Sequence, residues 1–209
     1  MSELGIVGAG DQARETAGYL PGRVRWHAVN DEYLEIARAD ARLTAPVLTF
    51  AEAHERDPQL PVLIGLGYPG DRRAFAERWP GSTYATFVSD RAWVADGVEL
   101  GEGGVVCAGA VVTAGSRMGR HALINIGASV SHDCLLGEFV TISPGAQVAG
   151  HVVIGDGAFV GIGATVSDRI ELGAGCLVGA GAVVVRDVPP GAVVTGVPAR
   201  VQRTLTEWP

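Results

Sequence analysis

Ile124-Asn125-Ile126-Gly127-Ala128-Ser129-Val130-Ser131-His132-Asp133-Cys134-Leu135-Leu136 sets an aliphatic side chain at 124, 130 and 136. Followed outward in both directions, the spacing of six holds from Val88 to Val184, through Val94, Leu100, Val106, Val112, Met118, Ile142, Val148, Ile154, Val160, Val166, Leu172 and Val178. All 17 in-register positions are Leu, Ile, Val or Met, and the other 80 residues of the stretch share only 13 of these, so the rhythm is not an accident of composition. A helical face repeats near about 3.6 residues and a simple strand at about 2, so a sustained period of six marks a supersecondary unit that repeats its own turn. A parallel β-helix satisfies that. The residue four places after each aliphatic is usually small, as at Gly104, Ala110, Ala122, Ala128, Cys134, Ala146, Ala158 and Ala164, which suits a crowded inner corner. Val98, Val140, Val152 and Ile170 break this rule and predict wider corners. Glycine follows the aliphatic directly at Gly101, Gly119, Gly137, Gly155, Gly161, Gly173 and Gly179, where a sharp bend with positive φ is expected.

Upstream of the rhythm the pattern changes. Leu4 to Val7 is apolar and runs into Gly8-Ala9-Gly10-Asp11-Gln12-Ala13, and Arg14 to Leu20 reads as a short helix. A second apolar stretch ends at Val29-Asn30-Asp31, and a third, Val62-Leu63-Ile64-Gly65-Leu66-Gly67, leads into a helix-like Asp71 to Trp79. This alternation predicts a small doubly wound α/β domain. Two glycines of a G-x-G-x-x-G fingerprint are present and Ala13 takes the third place, where a methyl group still permits close helix–strand packing. A phosphate cradle and an ordinary tight β–α turn both fit the segment. Asp31 fits a ribose or base contact and a surface turn equally well.

Composition excludes several classes. The formal charge is -7 and no window carries a basic stripe, so nucleic acid is not an expected partner. All 16 basic residues are arginine, which removes Schiff-base chemistry and a P-loop lysine. Cys107, Cys134 and Cys176 are an odd number, lie far apart and form no C-x-x-C pair, so a zinc knuckle and a redox motif are not expected and a reducing, cytoplasmic setting is. No signal-like segment opens the chain and no apolar run suits a bilayer, so no membrane association is expected.

The repeat aliphatic-Gly-x-x-small-x resembles that of the hexapeptide-repeat acyltransferases. Its placement after a small Rossmann-like domain is similar to the bacterial sugar O-acyltransferase family, which includes sialic acid O-acetyltransferases and UDP-4-amino-sugar N-acetyltransferases. Gly8-Ala9-Gly10, Asn30-Asp31, Ile64-Gly65-Leu66-Gly67 with Arg72, and the segment from Ile124 to Cys134 carry the resemblance. It implies a left-handed triangular β-helix with three hexapeptides per coil, residues 18 apart stacked at the spacing of neighbouring strands, and a homotrimer with active sites between subunits. The expected organisation is a Rossmann-like nucleotide-sugar-binding domain over residues 1–87, a β-helix acetyltransferase domain over 88–187, and a segment packed on the helix over 188–209. Acetyl-CoA is the implied donor, a nucleotide-linked sugar the acceptor, and no metal is called for. By the same resemblance Gly10, Asp11, Gln12, Asn30, Asp31, Gly67 and Arg72 bind the sugar nucleotide, although Asp11 and Gln12 depart from the family's small-residue-Gly-His pattern.

His132 lies two residues after the in-register Val130, which points its side chain out of the prism beside a corner. Adding 18 reaches Gly150, a residue with no side chain and a backbone amide able to hold an oxyanion. Taking a proton from an attacking amine or hydroxyl needs a base near neutrality, and imidazole, with a reference value of about 6.5, suits it. The resemblance gives Asp133 the part of raising that imidazole's basicity; because successive strand residues face opposite sides, Asp133 reaches His132 only where the chain bends. Asn125 matches a position near the acceptor and is equally at home as a corner residue. Thr141 stands where several relatives carry a histidine against the acetyl donor. Ile162 and Ala180 match the lining of the CoA groove, and Gly196-Val197-Pro198-Ala199-Arg200 the segment closing it, with Arg200 set to meet a phosphate. His27, His54 and His121 read as surface residues, and His151 as facing away from His132 with its role open. N-acetylation of a nucleotide-linked amino sugar is the leading expectation and O-acetylation of the sialic acid type the alternative. A γ-carbonic-anhydrase-like metalloenzyme is disfavoured because His121, His132 and His151 lack a close histidine pair, and a catalytically silent sugar-nucleotide scaffold remains as the bland reading.

Overall fold

A computed structural model describes residues 3–81 and 83–209. Its internal contacts divide the chain into two compact units, one containing the residues up to Gly67 with Asp71–Ala85, the other Tyr68–Gly70 with Thr86–Pro209. The last residues group with the second unit and form no unit of their own.

The first unit holds a four-stranded parallel sheet. In chain order its elements are β1 (Leu4–Val7), α1 (Asp11–Gly18), β2 (Val24–Val29), α2 (Leu34–Arg38), β3 (Val47–Thr49), α3 (Phe50–Arg56), β4 (Val62–Ile64) and, from Asp71 on, α4 (Pro69–Arg78), and the strand order is β3-β2-β1-β4. This is the winding expected from strands alternating with helices. The first helix begins three residues earlier than the sequence suggested, at Asp11, with Gly10 as its N-cap. The pair β3–α3 escaped the reading because three residues carry no period. Its signal is the Thr49-x-x-Glu52 capping box, in which the Glu52 amide donates to Thr49 Oγ1 at 3.1 Å and the Thr49 amide to Glu52 Oε2 at 2.8 Å. Close packing explains two glycines: a Cβ on Gly5 would lie 2.2 Å from the Trp26 ring, and one on Gly65 would lie 2.7 Å from Ala13 Cα.

The second unit is a prism of three parallel sheets. Seventeen two-residue strands, from β5 (Phe87–Val88) to β21 (Val183–Val184), recur every six residues, and each ends on an in-register aliphatic. Each inner strand, from β8 to β18, pairs with those 18 residues before and after it, for example Val130 with Val112 and Val148. The aliphatics point inward and form one continuous core from Val106 to Val194, filled at the corners by Ala110, Ala122, Ala128, Cys134, Ala146, Ala158, Ala164, Cys176 and Ala182, all fully buried. The bulkier Val140 and Val152 are accommodated there as well, at 0% exposure. β22 (Ala192–Thr195) extends one sheet in parallel with the strand Leu177–Val178, and β23 (Arg200–Thr204) folds back antiparallel along it.

The glycines after the aliphatics serve a different purpose from the one expected. Positive φ falls two residues later, at Gly97, Gly103, Gly109, Gly115 and their successors. Gly101 and Gly119 are instead pressed against the next coil, where a Cβ would lie 2.5 Å from its backbone. Five non-glycine residues take the left-handed conformation at the turn positions: His121, Asp133, Phe139, His151 and Arg169. Of the histidines read as surface residues, His27 and His121 are both buried, at 1% exposure. His27 Nδ1 lies 3.0 Å from the Gly8 carbonyl beneath the first glycine turn, and His121 stacks on Phe139 with ring centroids 4.9 Å apart. Phe139 in turn neighbours Trp208, whose ring occupies the notch left by Gly157 and Gly175, where added Cβ atoms would come within 2.2 and 2.6 Å of it.

Candidate active site

The corner after the strand Ser129–Val130 holds the candidate catalytic pair. His132 and Asp133 occupy the turn itself, not a strand, so the alternation that would have separated them does not apply. Asp133 takes φ 58° and its carboxylate Oδ2 comes to 2.9 Å from His132 Nδ1. An ionised carboxylate only accepts, so Nδ1 is the donor in this pair and Nε2 is the ring nitrogen left to accept a proton. Both side chains are more than half exposed.

One coil on, Gly150 makes room for the ring. A Cβ there would lie 2.7 Å from His132 Cε1 and 2.8 Å from Nε2, so any other residue would strike the imidazole. The Gly150 carbonyl accepts from the Arg169 amide, whereas its own amide has no acceptor among the described residues. No ladder bond competes for it.

His151 corrects the expectation that it faces away. It takes φ 58°, its amide donates to the His132 carbonyl at 3.0 Å, and its Nε2 stands 3.9 Å from the same Asp133 Oδ2. The two imidazoles meet edge to face with centroids 5.1 Å apart. The premise that no close histidine pair exists is therefore overturned, although His121 takes no part in it. The step from 132 to 151 is one coil plus one residue, and that arithmetic was the available signal.

Cys134 offers no nucleophile beside this histidine. Its Sγ donates to the Ala149 carbonyl at 3.1 Å, and burial raises its thiol, as it pushes that of Cys176 up to about 12.

The other site residues separate into groups. Asn125 is buried and accepts the Ile126 amide at 2.8 Å, a corner role. Thr141 lies in a different sheet from Ser129–Val130 and is only 2% exposed, so it is not open beside His132. Ile162 and Ala180 are exposed in a corner column with Ala108, Ile126 and Pro144, an apolar ridge joined by bonds such as Gly181 N–H to Ile162 O. Arg200 is exposed at the start of β23 and donates to its neighbouring Ala199 carbonyl.

In the first unit, a cleft of about 510 Å³ opens at the glycine turn, lined by Gly8, Ala9, Gly10 and Asp11, and so includes two of the residues proposed for the sugar nucleotide, Gly10 and Asp11. Gln12, Asn30, Asp31 and Gly67 do not line it; Asn30 and Asp31 open onto a shallower neighbouring depression beside Phe50 and Arg78. Arg14, Tyr33, Asp40, Arg42 and Phe75 do, and sequence reasoning missed them. Arg42 grips Asp40 with two bonds of 2.7 and 2.9 Å and holds its carboxyl down at about 2, and Arg14 bridges Asp40 and Asp11. Arg72 is a correction. It is 2% exposed, donates to the Leu66 and Gly67 carbonyls at 3.1 and 2.8 Å, and burial lowers its guanidinium to about 9, so it braces the loop after β4.

Two family models match: bacterial transferase hexapeptide (six repeats) over residues 151–186, and hexapeptide repeat of succinyl-transferase over residues 90–114. Among curated protein sequences no match is found. A solved structure of perosamine N-acetyltransferase from Caulobacter crescentus, a histidine-to-asparagine variant in complex with CoA and GDP-perosamine, is 32% identical, covers 97% of this chain and 98% of its own, and superimposes with a TM-score of 0.84. The chain belongs to the hexapeptide-repeat sugar acyltransferases. The acetyltransferase domain of PglB from Neisseria gonorrhoeae, solved with acetyl coenzyme A, is similar at 31% identity, 96% and 98% coverage and a TM-score of 0.84. WeeI from Acinetobacter baumannii follows at 28% identity, 97% and 100% coverage and a TM-score of 0.82. Membership fixes the prism as a left-handed β-helix and makes this protein an acyltransferase. No helix among the described residues is long and apolar enough to cross a membrane.

Proposed function

We propose that this acyltransferase moves the acetyl group of acetyl-CoA onto the amino group of a nucleotide-linked amino sugar, with His132 as general base. The pairing of His132 with Asp133 over a bare Gly150 is the single observation that carries the mechanism. Similar proteins solved with CoA, acetyl-CoA and GDP-perosamine support the donor and the class of acceptor. The first unit's cleft takes the nucleotide. At the β-helix corner the amine lone pair attacks the thioester carbonyl and its N–H proton passes to His132 Nε2. Asp133 holds the ring in the competent tautomer and stabilises the imidazolium. The tetrahedral oxygen receives the Gly150 N–H, and collapse breaks the carbon–sulfur bond, the departing thiolate taking the proton back from His132. Acetylated sugar and free CoA result.

A homotrimer suits the exposed apolar ridge, on which Ile126 and Ile162 are 42% and 61% exposed, and places the CoA groove between subunits. Three buried cysteines that form no disulfide among the described residues fit a cytoplasmic enzyme. Amine and hydroxyl acceptors are separated by incubating the protein and acetyl-CoA with GDP- and UDP-linked 4-amino sugars and with sialic acid, then identifying products by mass spectrometry. Acetylation confined to the amino sugars is the expected result. Product from the hydroxyl acceptor alone overturns the reading in favour of O-acetylation.

A further inference from the structure

We propose that His132, Asp133 and His151 form a reversible site for a divalent transition metal of the Zn2+ class, and that metal bound there stops acetyl transfer. One ligand atom from each of the three residues lies within 4.8 Å of the other two. Tetrahedral zinc, with bonds of about 2.0–2.2 Å to nitrogen and oxygen, needs its ligand atoms roughly 3.3–3.5 Å apart. The Asp133 Oδ2 to His151 Nε2 distance of 3.9 Å is already near that, and side chains that are 41–58% exposed have the freedom to close the rest. Two imidazoles and one carboxylate match Zn2+, Co2+ or Ni2+, whereas Mg2+ and Ca2+ prefer all-oxygen shells.

The fold brings the three together by an uncommon choice of residue. Most turn positions of the prism that take positive φ are glycine, yet Asp133 and His151 both hold φ 58° in successive coils of this one corner. The next residue in their column, Arg169, has its Nε 3.8 Å from the Asp168 carboxylate, which offsets its charge beside a cation. Inhibition follows from valence. The His132 nitrogen beside Asp133 is Nδ1, so a metal held there displaces the Nδ1 proton, the neutral ring then carries its N–H at Nε2, and the lone pair that accepts the substrate proton is gone. This second half rests on His132 being the base; the binding half does not.

The test uses the full chain with any polyhistidine tag removed. Calorimetric titration with ZnCl2 is expected to give one ion per chain with micromolar affinity, MgCl2 to give no heat, and His151→Asn to weaken zinc binding by at least about tenfold. In parallel, CoA release should fall as free Zn2+ rises and recover with chelator, with at least about a tenfold higher half-inhibiting concentration in the variant. Absence of zinc heat, or equal affinity in His151→Asn, overturns the site. Binding that weakens in the variant while turnover ignores zinc overturns the inhibitory half alone. Should no acceptor be acetylated at all, the functional reading fails, and the calorimetry still decides the site.

Discussion

Replacing Gly150 with alanine separates the position of the base from the integrity of the fold. The new methyl would sit 2.7 Å from His132 Cε1 and 2.8 Å from Nε2. Ordinary carbon contacts fall at about 3.5–4.0 Å, so the ring must withdraw by roughly 1 Å. Gly150 has no left-handed φ, so its backbone accepts alanine, and the clashing ring is the exposed end of a side chain that is free to turn. Stability should therefore change by less than about 1 kcal/mol. Catalysis should not escape so lightly, because the ring leaves its 2.9 Å bond to Asp133 as it moves. A displacement of about 1 Å in a catalytic group costs on the order of a hundredfold, equivalent to about 2.7 kcal/mol of transition-state stabilisation. Thiol release under saturating acetyl-CoA measures the rate, and thermal unfolding of the same preparation measures the fold. The expected pair of results is a kcat lowered by about a hundredfold with a midpoint shifted by no more than a few degrees. A kcat within about threefold of the parent would refute the reasoning, since the ring would then have no need of its place over Gly150.

Asp133→Asn keeps a residue tolerant of positive φ but removes the charge beside Nδ1, so kcat is expected to drop by at least about tenfold with unfolding unchanged, as steady-state kinetics beside a melt will show. Trp208→Ala empties the notch over Gly157 and Gly175 and should cost about 2 kcal/mol, below the 3–5 of a fully buried tryptophan, read from chemical denaturation. Burial, opposed by the weaker pull of the Gly8 carbonyl, lowers the His27 imidazole from its ordinary value. Above about pH 6.5 both folded and unfolded chains are neutral there; below it the unfolded chain binds the proton first, so stability is lost as the pH falls toward the folded value. Melts at about pH 7.5 and 5.5 should differ less in His27→Gln than in the parent, and equal differences would remove His27 as the cause.

The prism was legible because its core repeats without a gap: an aliphatic every sixth residue fixes which side chain faces inward, and stacking fixes the 18-residue register. The position of His132 and its neighbour Gly150 followed from that arithmetic. What the period does not encode is the turn. Asp133 and His151 take left-handed φ where most turn positions use glycine, and this swings one carboxylate between two imidazoles that strand alternation would have kept apart. The first unit was read less fully, since β3 has three residues and no periodicity, and since charge in a sequence does not announce burial. Arg72 looked like a ligand contact and is a buried brace, whereas Arg14 and Arg42 face the cleft through ion pairs with Asp40, which lies far from Asp11 in the chain.

His132→Asn is the most direct trial of the base. With acetyl-CoA binding checked by calorimetry, the kcat for an accepted amino-sugar nucleotide should fall by about a hundred- to ten-thousandfold while donor affinity stays within a few-fold. A variant that binds acetyl-CoA and turns over at the parent rate would contradict the assignment and leave proton removal to some other group.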